Sequence, residues 1–253
     1  MKIIDIEKLV HTYSHLSKGV VDFKKYTYYA LTHHSTSIEG STLTESQVIN
    51  LLEYGKTATN KPYEHHQMVS DHYLALQYVV AEAQKKSLLN VIFIKEIGAQ
   101  VMKNTGGFVN TVIGVYDISK GDFRLGSVRA GTRTFPDYAK VPMLIANLCK
   151  QVNDFLQSKN EITFAQKCEL AFQVHFDFVS IHPFGDGNGR TARLLMNYIQ
   201  AFFGLPLSIV YKQDRIKYIN ALEQSRNHEE MSYFYNFMYL QYAKFLKENI
   251  KEM

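Results

Sequence analysis

The chain has 253 residues, of which 46% are hydrophobic and 21% are charged, and its formal net charge is +4. This balance is that of a soluble globular protein, long enough for one large domain or for a core domain with a helical extension. The mild positive charge fits an anionic substrate such as a nucleotide. The absence of a block of Lys and Arg argues against direct nucleic-acid binding.

The sequence predicts a cytoplasmic protein with no membrane association. Residues 1–8 carry charges throughout and lack the apolar core of a signal peptide. The most apolar run, 88–97, is interrupted by charged residues and is too short to span a bilayer. Cys149 and Cys168 sit in no metal-binding or redox spacing, which favours free buried thiols in a reducing compartment.

Apolar residues at 3.6-residue spacing predict helices along most of the chain. The predicted helices cover 20–34, 44–55, 64–85, 91–104, 138–157, 161–179, 190–203, 212–226 and 229–249. Thr44 with Gln47 indicates a capping box at the start of one helix. Thr163 with Gln166 indicates another, which would begin its helix slightly later than the spacing alone suggests.

One segment, 123–135, departs from the helical pattern. It reads FRLGSVRAGTRTF, is rich in residues that favour strands and has an Ala-Gly pair at its middle, so it predicts a single short hairpin. The fold expected from these patterns is mainly α, a helical bundle with one β-hairpin. We expect an N-terminal helical region at 1–88 to pack on a core at 89–253.

The stretch HPFGDGNGRTAR, which lies between two apolar helices, carries the clearest chemical signal. Gly187, Asn188 and Gly189 form a glycine-rich turn that can aim backbone N–H groups at one point, beside the positive end of the following helix. Arg190 and Arg193 are three residues apart and share one face of its first turn. Two guanidinium groups beside an anion pocket predict binding of a polyphosphate.

Two side chains of the same stretch are candidates for chemistry. Asp186 is a hard oxygen ligand that can hold Mg²⁺ (or Mn²⁺) against a polyphosphate. His182 opens the stretch, and its imidazole can accept a proton near neutral pH. Pro183 is expected to hold His182 in an extended conformation, and Phe184 to anchor the loop in the core. Each feature alone is more often structural than functional, and it is their order and spacing that indicate a site.

This stretch resembles the Fic signature, His-Pro-Phe-x-Asp/Glu-Gly-Asn-Gly-Arg-x-x-Arg, and matches every defined position. The resemblance covers roughly residues 90–245 and implies the Fic fold, a helical bundle with one β-hairpin flap and an N-terminal helical extension. It implies a protein adenylyltransferase that moves AMP from ATP onto a Ser, Thr or Tyr hydroxyl of a target protein. His182 would be the catalytic base, and Asp186 would bind Mg²⁺ between the α- and β-phosphates.

The resemblance also implies how the rest of the nucleotide is held. The backbone of Gly187, Asn188 and Gly189 would bind the phosphates, with the Asn188 side chain on the α-phosphate. Arg190 would pair with the β-phosphate and Arg193 with the γ-phosphate. Doc relatives carry Lys at the position of Gly189 and phosphorylate their targets, so Gly189 resembles the AMP-transferring branch.

A second stretch, STSIEG at 35–40, indicates by itself only a polar helix end. Beside a Fic loop it is similar to the family's inhibitory motif, Ser/Thr-x-x-x-Glu-Gly/Asn. The resemblance implies that Glu39 pairs with Arg193, withdraws the cation meant for the γ-phosphate and inhibits the enzyme. Ser35 would help to fix this inhibitory helix.

The resemblance also assigns the partners. The flap at 123–135 would dock the target protein by adding a strand to an extended segment of it. Tyr218 and Leu222 are candidate adenine contacts by family position, but many relatives have Asn where this chain has Arg226, which leaves the purine contacts open. The very aromatic last predicted helix favours core packing or a homo-oligomer contact.

Three alternatives stay open from the sequence. Some Fic relatives use the inhibitory glutamate in the reverse reaction and remove AMP from their target. Others transfer a different nucleotide-derived group, such as phosphocholine. A nucleotide-binding module without turnover is the least favoured, because a pure binder would need neither the base nor the metal ligand.

Overall fold

The computed structural model describes residues 3–19, 23–130 and 133–253. Within these ranges the chain forms ten α-helices: α1 (Ile3–Leu16), α2 (Phe23–Ile38), α3 (Glu45–Tyr54), α4 (Tyr63–Gln84), α5 (Val91–Val101), α6 (Val141–Leu156), α7 (Phe164–Ile181), α8 (Asn188–Phe202), α9 (Arg215–Asn227) and α10 (Ser232–Glu252). Short 3-10 helices lie at Ile118–Lys120, Tyr138–Lys140 and Lys212–Asp214. The mainly α helical bundle expected from the sequence is therefore confirmed.

Helices α7 and α8 form the centre of the bundle. α7 begins at the predicted capping box, in which Gln166 N–H donates to Thr163 Oγ1 at 3.3 Å and Thr163 N–H donates to Gln166 Oε1 at 2.9 Å. α8 is buried on almost every face because α7, α4 and α5 pack around it. The loop that joins α7 to α8 is therefore fixed at both ends by packed helices.

The N-terminal helices pack on this centre. α1, which the sequence analysis did not predict, lies against α10 and buries Ile6, Val10 and Tyr13. α2 packs against α4 and α8 and runs to Ile38, beyond the predicted end at residue 34. It continues because its last turns are buried, and packing of this kind stabilises a helix more than intrinsic propensity does.

The strands form two separate hairpins. β1 (Phe108–Thr111) pairs antiparallel with β2 (Gly114–Asp117), and β3 (Arg129–Ala130) pairs antiparallel with β4 (Arg133–Thr134). The β3–β4 hairpin lies in the segment where the sequence predicted one, and residues 131 and 132 of that segment lie outside the described residues. The β1–β2 hairpin was not predicted. In the described part of the chain, no helix combines the length and the apolarity needed to cross a bilayer.

Candidate active site

The loop between α7 and α8 begins with a residue in the left-handed conformation. His182 caps the C-terminal end of α7 with φ 54° and ψ 60°, so the extended conformation expected from Pro183 is wrong. The helix itself is the cause, because His182 N–H donates to Phe178 O at 2.9 Å and continues the helical bonding by one residue. This backbone conformation is uncommon for a residue with a side chain and persists where the surroundings enforce it.

Two residues brace the loop from inside. Phe184 is 1% exposed and packs against the rings of Phe123 and Phe178. Asn188 Oδ1 accepts from Phe184 N–H and Asn188 Nδ2 donates to Phe184 O, each at 2.9 Å. The Asn188 side chain therefore uses two hydrogen bonds to shape the loop, and one N–H of its amide group is left for a ligand.

The first turn of α8 brings backbone N–H groups together at the end of the loop. α8 begins at Asn188 rather than at the predicted residue 190, because Gly187 takes a φ of 79° and turns the chain directly into the helix. The first N–H groups of a helix have no acceptor within it. Those of Asn188, Gly189 and Arg190 therefore form the positive end of α8, which suits a phosphate group.

The side chain of Arg190 turns from this first helical turn into the interior and is 1% exposed. Nη1 donates to Val101 O at 3.3 Å and Nη2 donates to Met102 Sδ at 2.9 Å, while Asp186 Oδ2 lies 3.6 Å from Nη2. Nε has no hydrogen-bond partner among the described residues. Burial lowers the pKa of Arg190, because Asp186 only partly compensates its charge. Arg190 thus carries a buried positive charge that Asp186 and Glu39 compensate only in part.

Arg193, by contrast, is already engaged. Its Nε donates to Ser35 Oγ and its Nη2 to Ser35 O, both at 2.9 Å, and Nη2 also lies 2.7 Å from Glu39 Oε1. Gly189 leaves room for this carboxylate, because a Cβ at that position would lie 2.3 Å from Glu39 Oε1. Glu39 therefore sits over the N-terminus of α8, where the geometry suits an anion.

Charge stabilises this pair on both sides. Burial acts to raise the pKa of Glu39, but the charge and hydrogen bond of Arg193 outweigh it and lower that pKa below its usual value. Burial likewise acts to lower the pKa of Arg193, and the charge of Glu39 raises it instead. Arg215 fixes the same end of α2, because its Nε donates to Ile38 O at 2.9 Å. Both members of the pair are thus ionised at neutral pH.

The imidazole of His182 is held in its neutral form. It stacks on the ring of Phe135, with centroids 4.0 Å apart and an interplanar angle of 23°. Burial and then the charges of Arg124 and Arg133 lower the pKa of His182 to about 4, against smaller opposing effects of the Val179 backbone and of Asp186. At neutral pH the ring therefore has a free nitrogen that can accept a proton.

A cavity of about 310 Å³ connects these groups. Its walls include His182, Gly189 and Glu39, and also the two residues predicted to contact adenine, Tyr218 and Leu222. The structure thus places the expected base, phosphate loop, inhibitory carboxylate and adenine contacts around one space. Its volume lies at the lower end of the range for small-molecule pockets, about 300–1,000 Å³.

Tyr218 and Arg226 define the α9 wall of this cavity. Tyr218 is 2% exposed, and its hydroxyl lies 2.8 Å from His175 Nε2. Its ring therefore faces the cavity while its hydroxyl belongs to the core. Arg226 lines the same wall, with its guanidinium 5.2 Å from the ring centroid of Phe176. Burial and the charge of Arg133 lower the pKa of Arg226 to about 10, so this wall is positively charged.

Asp186 stands apart from the buried residues of the loop. Its side chain is 67% exposed, and Oδ1 accepts from Gly187 N–H at 2.5 Å. In the ranges that the structure describes, no cluster of three or more His, Cys, Asp or Glu side chains is arranged to hold a metal ion. The protein alone therefore offers one carboxylate at this point.

Sequence reasoning assigned Arg124 and Phe135 no role beyond membership of the flap and assigned Arg215 none. Arg124 and Phe135 contact His182, and Arg215 contacts Ile38, which precedes Glu39. Phe135 could have been noticed as an aromatic residue at the end of a predicted hairpin. Arg124 contacts His182 across a sequence separation of 58 residues, and Arg215 contacts Ile38 across a separation of 177 residues. No local pattern records contacts of that separation.

The chain was also compared with known proteins. Residues 88–200 match the family model described as Fic/DOC family. A curated relative from Drosophila erecta, named Protein adenylyltransferase Fic, is 33% identical over 200 residues, which is 79% of this chain and 37% of that protein. The chain therefore spans little more than a third of the length of the curated relative it matches.

Solved structures agree with this comparison over nearly the whole chain. A Fic domain containing signaling protein from Bacteroides thetaiotaomicron superposes with a TM-score of 0.81 at 25% identity, covering 97% of this chain and 96% of that one. Fic-1 from C. elegans superposes with a TM-score of 0.80 at 26% identity, covering 99% of this chain and 71% of that one. The Fic fold implied by the sequence is thus confirmed.

Proposed function

The chain carries a Fic/DOC family domain at residues 88–200, and from that premise we propose that it is a protein adenylyltransferase, held inactive by Glu39. It moves AMP from ATP to a Ser, Thr or Tyr hydroxyl of a target protein. One observation carries the proposal. The neutral imidazole of His182 and the N-terminus of α8 at Gly189 line one cavity, and two arginines of the same helical turn, Arg190 and Arg193, are buried and keep unused N–H groups. This set can hold a triphosphate and take a proton from a nucleophile at the same place.

The transfer itself is an in-line displacement at phosphorus. The target hydroxyl gives its proton to the free nitrogen of His182 while its oxygen attacks the α-phosphorus of ATP. The new O–P bond forms as the bond from the α-phosphorus to the bridging oxygen breaks, and pyrophosphate leaves with that electron pair. Bound phosphates would offset the arginine charges around His182 and move its pKa back towards neutrality, where a base is most effective.

The phosphates are held by the loop and by the two arginines. In the proposal the backbone N–H groups of Asn188 and Gly189, with the remaining N–H of the Asn188 amide, bind the α-phosphate side. Arg190 pairs with the β-phosphate and Arg193 with the γ-phosphate. Support comes from Arg190 Nε and Arg193 Nη1, which are buried and lack partners among the described residues. A buried donor without an acceptor is costly, and a phosphate oxygen would supply one.

Asp186 fits a magnesium ion that arrives with the nucleotide. Mg²⁺ is usually bound by one or two carboxylates and completes its shell with phosphate oxygens and water. Asp186 supplies one exposed carboxylate beside the phosphate loop. When bound, the ion would neutralise charge on the phosphates and on the leaving group.

Inhibition follows from the position of Glu39. Its carboxylate takes the Nη2 group of Arg193 and lies over Gly189, so a γ-phosphate cannot pair with that Nη2 group while Glu39 is in place. ATP would then bind with its α-phosphate out of line, and a misplacement of about 1 Å can cost about 100-fold in rate. Ser35 and Arg215 hold the end of α2 in this inhibiting position.

The flap at 123–135 is proposed to dock an extended segment of the target by strand addition. β3 and β4 are two residues long each and pair only with one another in the described part of the chain, so backbone groups at their edges are open to another strand. The same hairpin carries Phe135, which stacks on His182. A segment docked there would present its hydroxyl near the base.

We place the protein in a reducing compartment such as the cytoplasm. Cys149 and Cys168 are both free and buried. Burial raises the pKa of the Cys149 thiol to about 11, so this thiol is unreactive at neutral pH. Free thiols of this kind are typical of reducing compartments.

Label transfer from ATP tests the proposed function. Wild-type protein and Glu39→Gly are incubated with Mg²⁺ and with α-labelled or γ-labelled ATP, and label on the protein itself is measured. We expect α-label, but no γ-label, in Glu39→Gly, at a rate about 100-fold above wild type. Glu161→Gly, which removes an exposed loop carboxylate far from Arg193 in sequence, serves as the matched control and should behave as wild type.

Each other result identifies a different failure. Incorporation of γ-label alone would make the protein a kinase. Equal α-label in wild type and Glu39→Gly would reject inhibition by Glu39 while leaving AMP transfer intact. Release of AMP from an AMP-modified protein, with no forward incorporation in either variant, would support the reverse reaction instead.

A further inference from the structure

Arg124 is a buried cation at the start of the flap with an unusual set of partners. Its side chain is 1% exposed, and no carboxylate lies within ion-pair distance of it in the described ranges. Its donors go to three backbone carbonyls: Nε to His182 O at 2.8 Å, Nη1 to Gly126 O at 2.6 Å and Nη2 to Pro136 O at 2.5 Å. The Arg124 N–H also donates to Pro183 O at 2.9 Å. One guanidinium therefore connects three segments of chain.

Two of these segments belong to the flap and the third belongs to the catalytic loop. Gly126 and Pro136 lie on either side of the β3–β4 hairpin, so Arg124 closes the hairpin at its base. His182 is the residue with the left-handed backbone at the end of α7. Because its carbonyl is fixed by Arg124 and its N–H by Phe178 O, both sides of the strained residue are held.

We propose that Arg124 is a positioning residue that couples the flap to the base, so that the target-docking hairpin and His182 keep a fixed spacing. This inference rests on the roles proposed above for His182 and for the flap. Phe135 supplies the second contact of the same coupling, because its ring stacks on His182 two residues after β4 begins. The order of the flap and the orientation of the His182 imidazole then change together.

This role requires the guanidinium group of arginine, whose N–H donors form a planar fork. Arg presents five N–H groups in a rigid plane and can reach three carbonyls at once, whereas Lys presents one compact ammonium on a flexible stem. Arg124→Lys keeps the positive charge near His182 and loses the fork. Arg124→Met loses both. The pair of variants therefore separates geometry from charge.

The charged groups around His182 must be considered in any comparison of these variants. Those that act on its imidazole or line the same cavity are Arg124, Arg133, Asp186, Glu39, Arg215, Glu223 and Arg226. Only the first changes between the variants, and measurements at one pH near neutrality keep His182 unprotonated in all of them. A difference in rate between Arg124→Lys and its parent is then a difference in geometry.

The test combines hydrogen exchange with label transfer. Each variant is made in the wild-type chain for exchange and in the Glu39→Gly chain for rates. In Arg124→Lys we expect faster amide exchange in residues 126–136 and in residues 178–184 together. We also expect an α-label transfer rate about 10- to 100-fold lower, with the affinity for ATP within about two-fold of the parent. Lys120→Met, which removes an exposed cation four residues earlier, should change neither.

Several outcomes would overturn the inference. Native exchange and a native rate in Arg124→Lys would show that the fork is dispensable. Faster exchange confined to the flap would show that the two segments are not coupled. Loss of ATP binding in parallel with rate would indicate general damage to the site rather than loss of positioning. If the Glu39→Gly parent transfers no AMP at all, the proposed function fails, and the exchange data still decide whether flap and loop are coupled.

Discussion

The catalytic loop and the flap meet at His182 but are built in opposite ways. The loop at 182–193 is enclosed by α7 and α8, and its polar groups bond to one another or to neighbouring helices. The flap at 123–135 has two strands of two residues each and contacts the bundle through two arginines, Arg124 and Arg133, and through the rings of Phe123 and Phe135. In the proposed function, the enclosed loop would bind the triphosphate, which is the same in every reaction. The less extensively packed flap would dock the target protein.

Removal of the His182 imidazole should cause the largest loss in the rate of label transfer. In the Glu39→Gly background, His182→Ala is expected to lower α-label transfer by about 10²- to 10⁴-fold, the usual contribution of general base catalysis. ATP affinity should change little, because His182 contacts the hydroxyl rather than the phosphates. The rate of label transfer at saturating ATP and the dissociation constant for ATP are the measurements. A rate within ten-fold of the parent would contradict the assignment of the base.

Removal of the Asn188 side chain tests whether its hydrogen bonds to Phe184 hold the catalytic loop in shape. Asn188→Ala deletes both side-chain bonds to Phe184 and should leave the buried N–H and carbonyl of that residue unpaired. We expect a loss of about 1–3 kcal/mol in unfolding free energy and about 100-fold in rate. Denaturant unfolding and label transfer measure the two effects. Asn160→Ala, on an exposed loop, is the matched control, and equal effects of the two variants would contradict the bracing role.

Truncation of a flap side chain should lower the rate of label transfer less than truncation of a catalytic-loop side chain. Phe135→Ala removes the ring on which His182 stacks. An aromatic pair contributes about 0.5–1.5 kcal/mol beyond its burial, so we expect a rate loss of about ten-fold with ATP affinity unchanged. Label transfer at several ATP concentrations separates the two parameters. If ATP affinity falls while the maximal rate holds, the ring belongs to the nucleotide pocket and the division between loop and flap is wrong.

The pH dependence of the free enzyme tests His182, the residue at which the catalytic loop and the flap meet. His182 must be neutral to act as a base, and its pKa is lowered to about 4 from the ordinary 6.5. A ring with the ordinary pKa would lose about ten-fold in kcat/KM between pH 7.5 and pH 5.5. In Glu39→Gly we expect kcat/KM to stay within about two-fold over that range and to fall as pH drops through 4. A ten-fold loss by pH 5.5 would contradict the lowered pKa.

The sequence grouped the candidate residues that local spacing brings together and missed those that only distant contacts bring together. The residues from His182 to Arg193 could be proposed as one site because one loop and one helical turn bring them together. The β1–β2 hairpin was missed because its turn, at Val112 and Ile113, lacks the Asn-Gly type of signal that marks tight hairpins. α1 was missed although Ile6 and Val10 carry helical spacing, so the signal was present there.

Some details of the site could not be predicted because neighbours override local preference. Pro183 favours an extended residue before it, yet the end of α7 fixes His182 in the left-handed region. The end of α2 is set by burial against α4 and α8, and by Arg215 far along the chain. A pattern within one segment cannot contain that information.

Glu39 is proposed to inhibit the enzyme by occupying Arg193, and a double-mutant cycle on label transfer tests this proposal most directly. Four proteins are compared at saturating ATP: wild type, Glu39→Gly, Arg193→Met and the double variant. We expect Glu39→Gly to raise the rate about 100-fold when Arg193 is present and by less than about two-fold when residue 193 is Met. An equal gain in both backgrounds would mean that Glu39 inhibits by some route other than Arg193, and would contradict the proposed inhibition.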